Sequence, residues 1–524
     1  MSVRTLPKTW VPRLVGGALA IAILACTRGD VPAPAGIGSG GLPEPPTATA
    51  TPGAEIEQTP TVALPPTVTS TPFTLQPPAS PTFPPTPTIV QGGASESISY
   101  EAQPGDTLRA LAVRFGVIPT DITSAQALPD EHSLVNPGQL LFIPRRLGAT
   151  GPADRLIPDS EFVFSPYAAD FDVEAFAAEQ GGYLNRYSEY INSRLRTGPE
   201  VVALVARDNS VNPRLLLALL EYQTGWVTDP TRPSSAALTY PMGNRDPALP
   251  GLFRQLTWLA NELGVGYYSW RAGTLTEIPF PGDTTTRLAP DLNAGTVSLQ
   301  YFLALRLSGR EWAEALSPQG FMATYTRFFG DPWTLDYPLF VPGVQQPPLI
   351  LPFPPGRIWA FTGGPHGAWE REAAWAALDF APSTSQTGCI VSEDWAVAAA
   401  PGLVLRSGGG VVVLDLDGDG REQTGWVLIY LHIAEAGRVR AGDFVEEGDR
   451  IGHPSCEGGV ATGTHIHFVR MYNGEWILAD GPLPFNLSGW VSHAGARPYE
   501  GSLTQDGRTV IACSCASQET YISR

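Results

Sequence analysis

The chain has 524 residues, 43% of them hydrophobic, so it can bury several cores; at ~100–200 residues per domain the length implies about two to four of them. A formal net charge of -18 offers no broad cationic field and excludes nucleic acid as an expected partner. The 52 prolines and 55 glycines are unevenly placed, the prolines crowding between about residue 31 and residue 95, which divides the chain before any motif is read.

The N-terminus carries Arg4, Lys8 and Arg13, then an apolar run from Leu14 to Ala25 that is far shorter than the ~20 residues of a bilayer span. Residues 1–26 therefore read as a signal peptide. Its end, Ile23-Leu24-Ala25-Cys26, resembles the lipobox of bacterial lipoproteins, although Leu24 is bulkier than the usual small residue. That resemblance implies acylation of Cys26 and an exported protein anchored to a membrane on the cell-envelope side. Ordinary cleavage with loss of Cys26 is the alternative, and it exports the chain too. Residues 27–97 are rich in Pro and Thr, with too few large apolar side chains to offset chain entropy. They are expected to form a disordered tether, reaching on the order of 200 Å as polyproline or ~45 Å as a coil.

Residues 98–146 form a compact pattern. A short strand leads to Gly105-Asp106-Thr107, then Leu108, Leu111, Ala112 and Phe115 follow at helical spacing. A second helix is expected next, then the turn Asn136-Pro137-Gly138-Gln139 and the strand Leu140-Leu141-Phe142-Ile143-Pro144. The words Pro104-Gly105-Asp106-Thr107-Leu108 and Asn136-Pro137-Gly138-Gln139-Leu140 resemble the LysM module, with Gln126 where that family usually has Asn. The resemblance implies a βααβ unit that binds N-acetylglucosamine-containing glycan strands such as those of peptidoglycan, with Gly105, Asp106 and Thr107 as candidate contacts.

Residues 155–340 read as a mostly helical domain, with amphipathic runs at Val201 to Ala206, Leu215 to Tyr222, Leu252 to Leu263 and Val297 to Leu307. The words Val211-Asn212-Pro213 and Gln223-Thr224-Gly225-Trp226 resemble the lysozyme-like fold of lytic transglycosylases. In that family a catalytic Glu precedes Ser-Gly; here Gln223 stands in its place, and an amide cannot serve as a general acid. Glu221 lies two residues earlier, on a different helical face, so a degenerate glycan-binding or spacer domain is expected.

Residues 350–500 change to short β-rich runs separated by Gly and Asp turns, an antiparallel β-sheet domain, and 501–524 read as a C-terminal tail. The fold class is thus multidomain α+β. Six of the seven histidines fall in this β domain, four of them at telling positions: His366, His432, His465 and His467. In Thr464-His465-Ile466-His467-Phe468 the two imidazoles lie two residues apart on a strand and project from one face. Asp379 sits in the apolar run Ala377-Leu378-Asp379-Phe380, where an unpaired carboxylate is costly and a cationic partner or metal is expected. Two His and one Asp make a catalytic type of zinc site, with a fourth position left open for water. Export also places Cys389, Cys456, Cys513 and Cys515 in an oxidising compartment. Four cysteines allow three connectivities, one of which closes a very small ring between Cys513 and Cys515; the pair Cys389 and Cys456 is favoured.

Gly364-Pro365-His366, Leu378-Asp379-Phe380, Tyr430-Leu431-His432 and Gly463-Thr464-His465-Ile466-His467-Phe468 resemble the lysostaphin-type zinc metallopeptidases. The thirteen-position spacing of His366 and Asp379, and Cys456-Glu457-Gly458-Gly459, are similar to the branch of β-lytic metalloendopeptidase and staphylolysin. The resemblance implies one Zn2+ per chain on His366, Asp379 and His467, with His432 and His465 acting on the attacking water and the oxyanion. The substrate class implied is the peptide stems or bridges of peptidoglycan. A catalytically inactive wall-binding regulator or activator of other hydrolases is the alternative. Asp415-Leu416-Asp417-Gly418-Asp419-Gly420 resembles the start of a Ca2+ loop, but Trp426 occupies the place of the closing Glu, which leaves a β-hairpin turn as the expected reading.

Overall fold

The computed structural model describes residues 97–282, 284–369, 372–383 and 388–524. The expected signal peptide with Cys26, and the tether up to residue 96, lie outside the described residues. Among the described residues no helix is long and apolar enough to cross a membrane.

Strand Ser97–Glu101 pairs antiparallel with Leu140–Pro144, and helix Leu108–Phe115 packs across them around Tyr100, Leu111, Phe115, Leu141 and Ile143. The helix starts where the Thr107 hydroxyl accepts the Ala110 N–H and stops at Gly116 in the left-handed conformation. The second helix expected in this module is a single 3-10 turn, Pro119–Asp121. Beyond it Thr123 bridges to Phe142 instead of continuing the turn, and Pro129 and Pro137 remove backbone donors from the stretch that follows.

The four amphipathic runs of the middle domain become helices Gly198–Asn209, Pro213–Thr224, Leu252–Ala272 and Ala294–Ala304. Their starts follow local chemistry: Thr197 and Glu200 form a capping box, and Asn212 caps a helix whose first residue is Pro213.

The β domain is built on one antiparallel sheet. Its strands run in the order Phe444–Val445, Gly402–Gly408, Val411–Asp415, Trp426–Leu431, Ile466–Tyr472, Ala377–Pro382, Trp359–His366 and Tyr521–Ile522. The segment 501–524 is therefore not a tail. Tyr521 pairs with Ala360, and the hairpin Gly501–Gln505/Arg508–Ile511 extends a small sheet on Trp490–Ala494. Alternation sorts the central strands between two cores. Val412, Leu414, Leu428, Tyr430, Ile466 and Phe468 enter the core on one side of the sheet. Val411, Val413, Val427, Ile429, Val469 and Met471 enter a core that is continuous with the helices of the middle domain. The helical domain thus covers one face of the sheet.

Candidate metal centre

Register brings the candidate ligands together. His467 lies directly across from Asp379 on the neighbouring strand, and Asp379 is opposite Gly363 on the next. Gly363 has no side chain to spare, because a Cβ there would sit 2.5 Å from the Asp379 carboxylate. An irregularity between Gly363 and His366 then turns His366 toward the same point. One ligand atom each from His366, Asp379 and His467 lie within 4.8 Å of one another, and all three residues are buried.

The hydrogen bonds fix which atoms face inward. The second ring nitrogen of His366, Nδ1, is 2.8 Å from the Gly364 carbonyl, and that of His467, Nε2, is 2.9 Å from the Ala368 carbonyl. A carbonyl only accepts, so in a neutral ring each of these nitrogens carries the proton, and His366 Nε2 and His467 Nδ1 are left as lone pairs. Those two nitrogens are 2.9 Å apart, each 3.3 Å from Asp379 Oδ1, a buried oxygen with no hydrogen-bond donor. With both rings neutral, three electron-rich atoms converge on one point, an arrangement that suits a cation. The donor set of two imidazoles and one carboxylate is of the kind zinc takes in catalytic sites.

Two further imidazoles border this cluster. His432 follows the strand Trp426–Leu431 at a φ of 64°, an uncommon backbone for a residue with a side chain, and its Nδ1 donates to the Glu457 carbonyl at 2.8 Å. His465 Nδ1 donates to the Gly463 carbonyl at 2.7 Å, and its Nε2 lies 3.8 Å from Asp379 Oδ1. A neutral ring at either position has its lone pair on Nε2, and the two centroids are 4.5 Å apart. Burial, helped by His465, pushes the His432 imidazole down to about 4, so it stays neutral above that pH. Burial acts against the charge of Asp379, yet His366 and the neighbouring imidazoles hold its carboxyl well below the usual range.

Tyr499 was not legible as a site residue. Its ring stacks on His366 at 4.0 Å between centroids, and its backbone exchanges hydrogen bonds with Gly364 and Pro365. It lies more than a hundred residues beyond His366, in a stretch without a recognisable motif, and only the fold brings the two together.

Residues 100–144 match the family described as LysM domain, and residues 155–342 match the family described as LasA, N-terminal domain. Protease LasA of Pseudomonas aeruginosa is 25% identical over 348 residues, which cover 62% of this chain and 75% of that protein. The chain is homologous to Protease LasA. That homology supports a peptidase, a hydrolase of peptide bonds. Among solved structures, the M23 metalloprotease pseudoalterin from the deep sea is 22% identical, covering 34% of this chain and 98% of its own, with a TM-score of 0.28. The catalytic domain of the antimicrobial peptidase lysostaphin from Staphylococcus simulans is 23% identical, covering 23% and 87%, with a TM-score of 0.18.

In the region that matches the LasA N-terminal domain, Glu221 is no free acid. Its carboxylate accepts from Val227 N–H, Thr228 N–H and the Thr228 hydroxyl, and pairs with Arg327 at 2.9 Å. In the LysM domain the Asp106 carboxylate is buried and takes up Tyr100 OH, Gln103 N–H and Arg114, while the Thr107 hydroxyl caps a helix. Gly105 faces the Arg271 guanidinium of the middle domain. The side chains of these candidate glycan contacts thus serve the fold. Asp415 of the Ca2+-like segment is likewise a turn former: it accepts the N–H groups of Asp417, Gly418 and Gly420 between two paired strands. Disulfides join Cys389 to Cys456 and Cys513 to Cys515.

Proposed function

We propose that the chain is an exported zinc endopeptidase that cuts peptide cross-links of peptidoglycan, anchored to a membrane through Cys26 and held on glycan strands by its LysM domain. The observation that carries this reading is the convergence of His366 Nε2, His467 Nδ1 and the donor-free Asp379 Oδ1, with two more imidazole lone pairs beside them. Homology to a protease and a LysM domain support the substrate class.

In this reading His366, Asp379 and His467 hold the metal. When bound, zinc supplies a Lewis acid that polarises the scissile carbonyl and acidifies water. His432 Nε2, neutral across the working range, accepts the proton of the attacking water and returns it to the leaving amine. His465, with Nδ1–H fixed on the Gly463 carbonyl, presents Nε2 to the same space and, carrying a proton taken up from solvent, donates a hydrogen bond to the oxyanion. The Ala368, Gly364, Glu457 and Gly463 carbonyls hold the four rings in these tautomers. The LysM domain raises the local concentration of wall peptides around the site.

The test uses the full chain: zinc content, and mass spectrometry of stem peptides released from purified peptidoglycan, with and without chelator. One zinc per chain and chelator-sensitive peptide release support the reading. Release of glycan fragments alone, or no zinc uptake, removes it.

A further inference from the structure

The helix Leu252–Ala272 carries two interior glycines, Gly264 and Gly266, each costing ~1 kcal/mol of helix propensity relative to alanine. Packing accounts for both. A Cβ on Gly266 would lie 3.0 Å from Ser298 Cα and Tyr301 Cβ of the helix Ala294–Ala304, so that glycine lets two helices close on each other. Gly264 meets no helix. A Cβ there would come within 2.6 Å of Ala373 Cβ, in the segment that joins the strands bearing His366 and Asp379.

That contact leads to the metal centre in two hydrogen bonds. One helical turn before Gly264, the Asn261 side-chain oxygen accepts the Glu372 N–H at 3.3 Å. Beside Ala373, the Ala374 carbonyl accepts the Ala368 N–H at 2.8 Å. The Ala368 carbonyl in turn receives His467 Nε2–H at 2.9 Å, the bond that leaves Nδ1 as the inward lone pair. Ala368 and Ala374 are buried in the same core as Ala260, Leu263 and Tyr268 of the helix.

We propose that Gly264 is a positioning residue for the metal site: its missing side chain seats Ala373 and Ala374 on the helix, and so holds the Ala368 carbonyl against His467. The helical domain is then a working part of the metal centre and not a spacer. This rests on the zinc reading above.

The experiment is zinc titration of the metal-stripped full chain against a competing chelator, with the visible absorption of the Co2+-loaded chain as a second readout of ligand geometry. Gly264→Ala is expected to weaken zinc binding about 10-fold or more, the usual effect of disturbing a partner of a ligand, and to shift the Co2+ bands. Ala373→Gly removes the methyl that the new Cβ meets, so the double variant is expected to return to within about twofold of the parent, as a coupled pair does. Zinc affinity and Co2+ spectrum unmoved in Gly264→Ala overturn the inference while the zinc reading stands. Weakening that Ala373→Gly does not restore also overturns it, since it marks general damage to the helix. A parent chain that binds no zinc overturns both.

Discussion

Arg271 and Glu475 meet 3.0 Å apart with both side chains almost entirely buried, one at the end of the long helix and the other in the β domain. Arg271 also pairs with Asp159 at 3.1 Å and donates to the Pro104 carbonyl of the LysM domain, so one guanidinium ties three regions of the chain together. Arg271→Ala leaves a buried carboxylate without its partner, and a loss of roughly 3–5 kcal/mol is expected in urea denaturation of the full chain.

The same pair sets a pH dependence. Burial pushes the Glu475 carboxyl up to about 7 from an ordinary 4.5, with Arg271 opposing. The folded state therefore binds this proton more tightly than the unfolded one. Its contribution to stability is complete below about 4.5 and is lost as the pH rises through about 7. Glu475→Gln is expected to flatten the urea midpoint over that window relative to the parent. Equal slopes in the two proteins count against the assignment.

The five site residues divide into two classes by metal content. His366→Ala, Asp379→Ala and His467→Ala are expected to lose zinc, measured by elemental analysis of the dialysed chain. His432→Ala and His465→Ala are expected to keep it, yet lose about 10²–10⁴-fold in peptide hydrolysis, as removal of a general acid or base does. Zinc loss in His465→Ala instead makes it a ligand.

Because burial holds His432 down to about 4, its neutral form predominates at any higher pH. A general base works only unprotonated, so kcat/KM is expected to fall on the acid side near pH 4, well below the ordinary histidine range. An acid limb well above pH 4 counts against His432 as the base.

Local patterns carried much of this. The period-two spacing of His465 and His467 put Ile466 on the opposite face, as the structure has it, and the strand and helix cores follow the apolar periods closely. What sequence could not supply were relationships made by distant pairing. The strand Tyr521–Ile522 looks like a loose end until it lies against Trp359–His366. The residues Asp106 and Thr107 look available until Arg114 and the start of a helix claim them. The second helix of the LysM domain failed because local proline and bridge chemistry outweighed the family expectation.

The bridge between Cys389 and Cys456 closes 67 residues and borders the Glu457 carbonyl that orients His432. A Cys389→Ser/Cys456→Ser chain is expected to lose about 2–4 kcal/mol of stability by denaturant titration. It is also expected to lose activity without losing zinc, because none of the carbonyls that fix the ligand rings lies on the bridged segment's Glu457 turn.

The last prediction concerns the β domain alone. Cutting the chain at residue 350 strips the helices from Val411, Val413, Val427, Ile429, Val469, Met471 and Trp476, which all lie in the core shared with the middle domain. It also removes Arg271 and Tyr267 from Glu475, and Asn209 from the Trp476 indole N–H. An apolar sheet face of that extent exceeds what soluble monomers leave uncovered, and a stranded carboxylate adds to the cost. A fragment of residues 350–524 is therefore expected to aggregate in size-exclusion chromatography, whereas residues 155–524 run as a monodisperse species. A monomeric, zinc-binding 350–524 fragment would show that the sheet face tolerates water and that the shared core is dispensable.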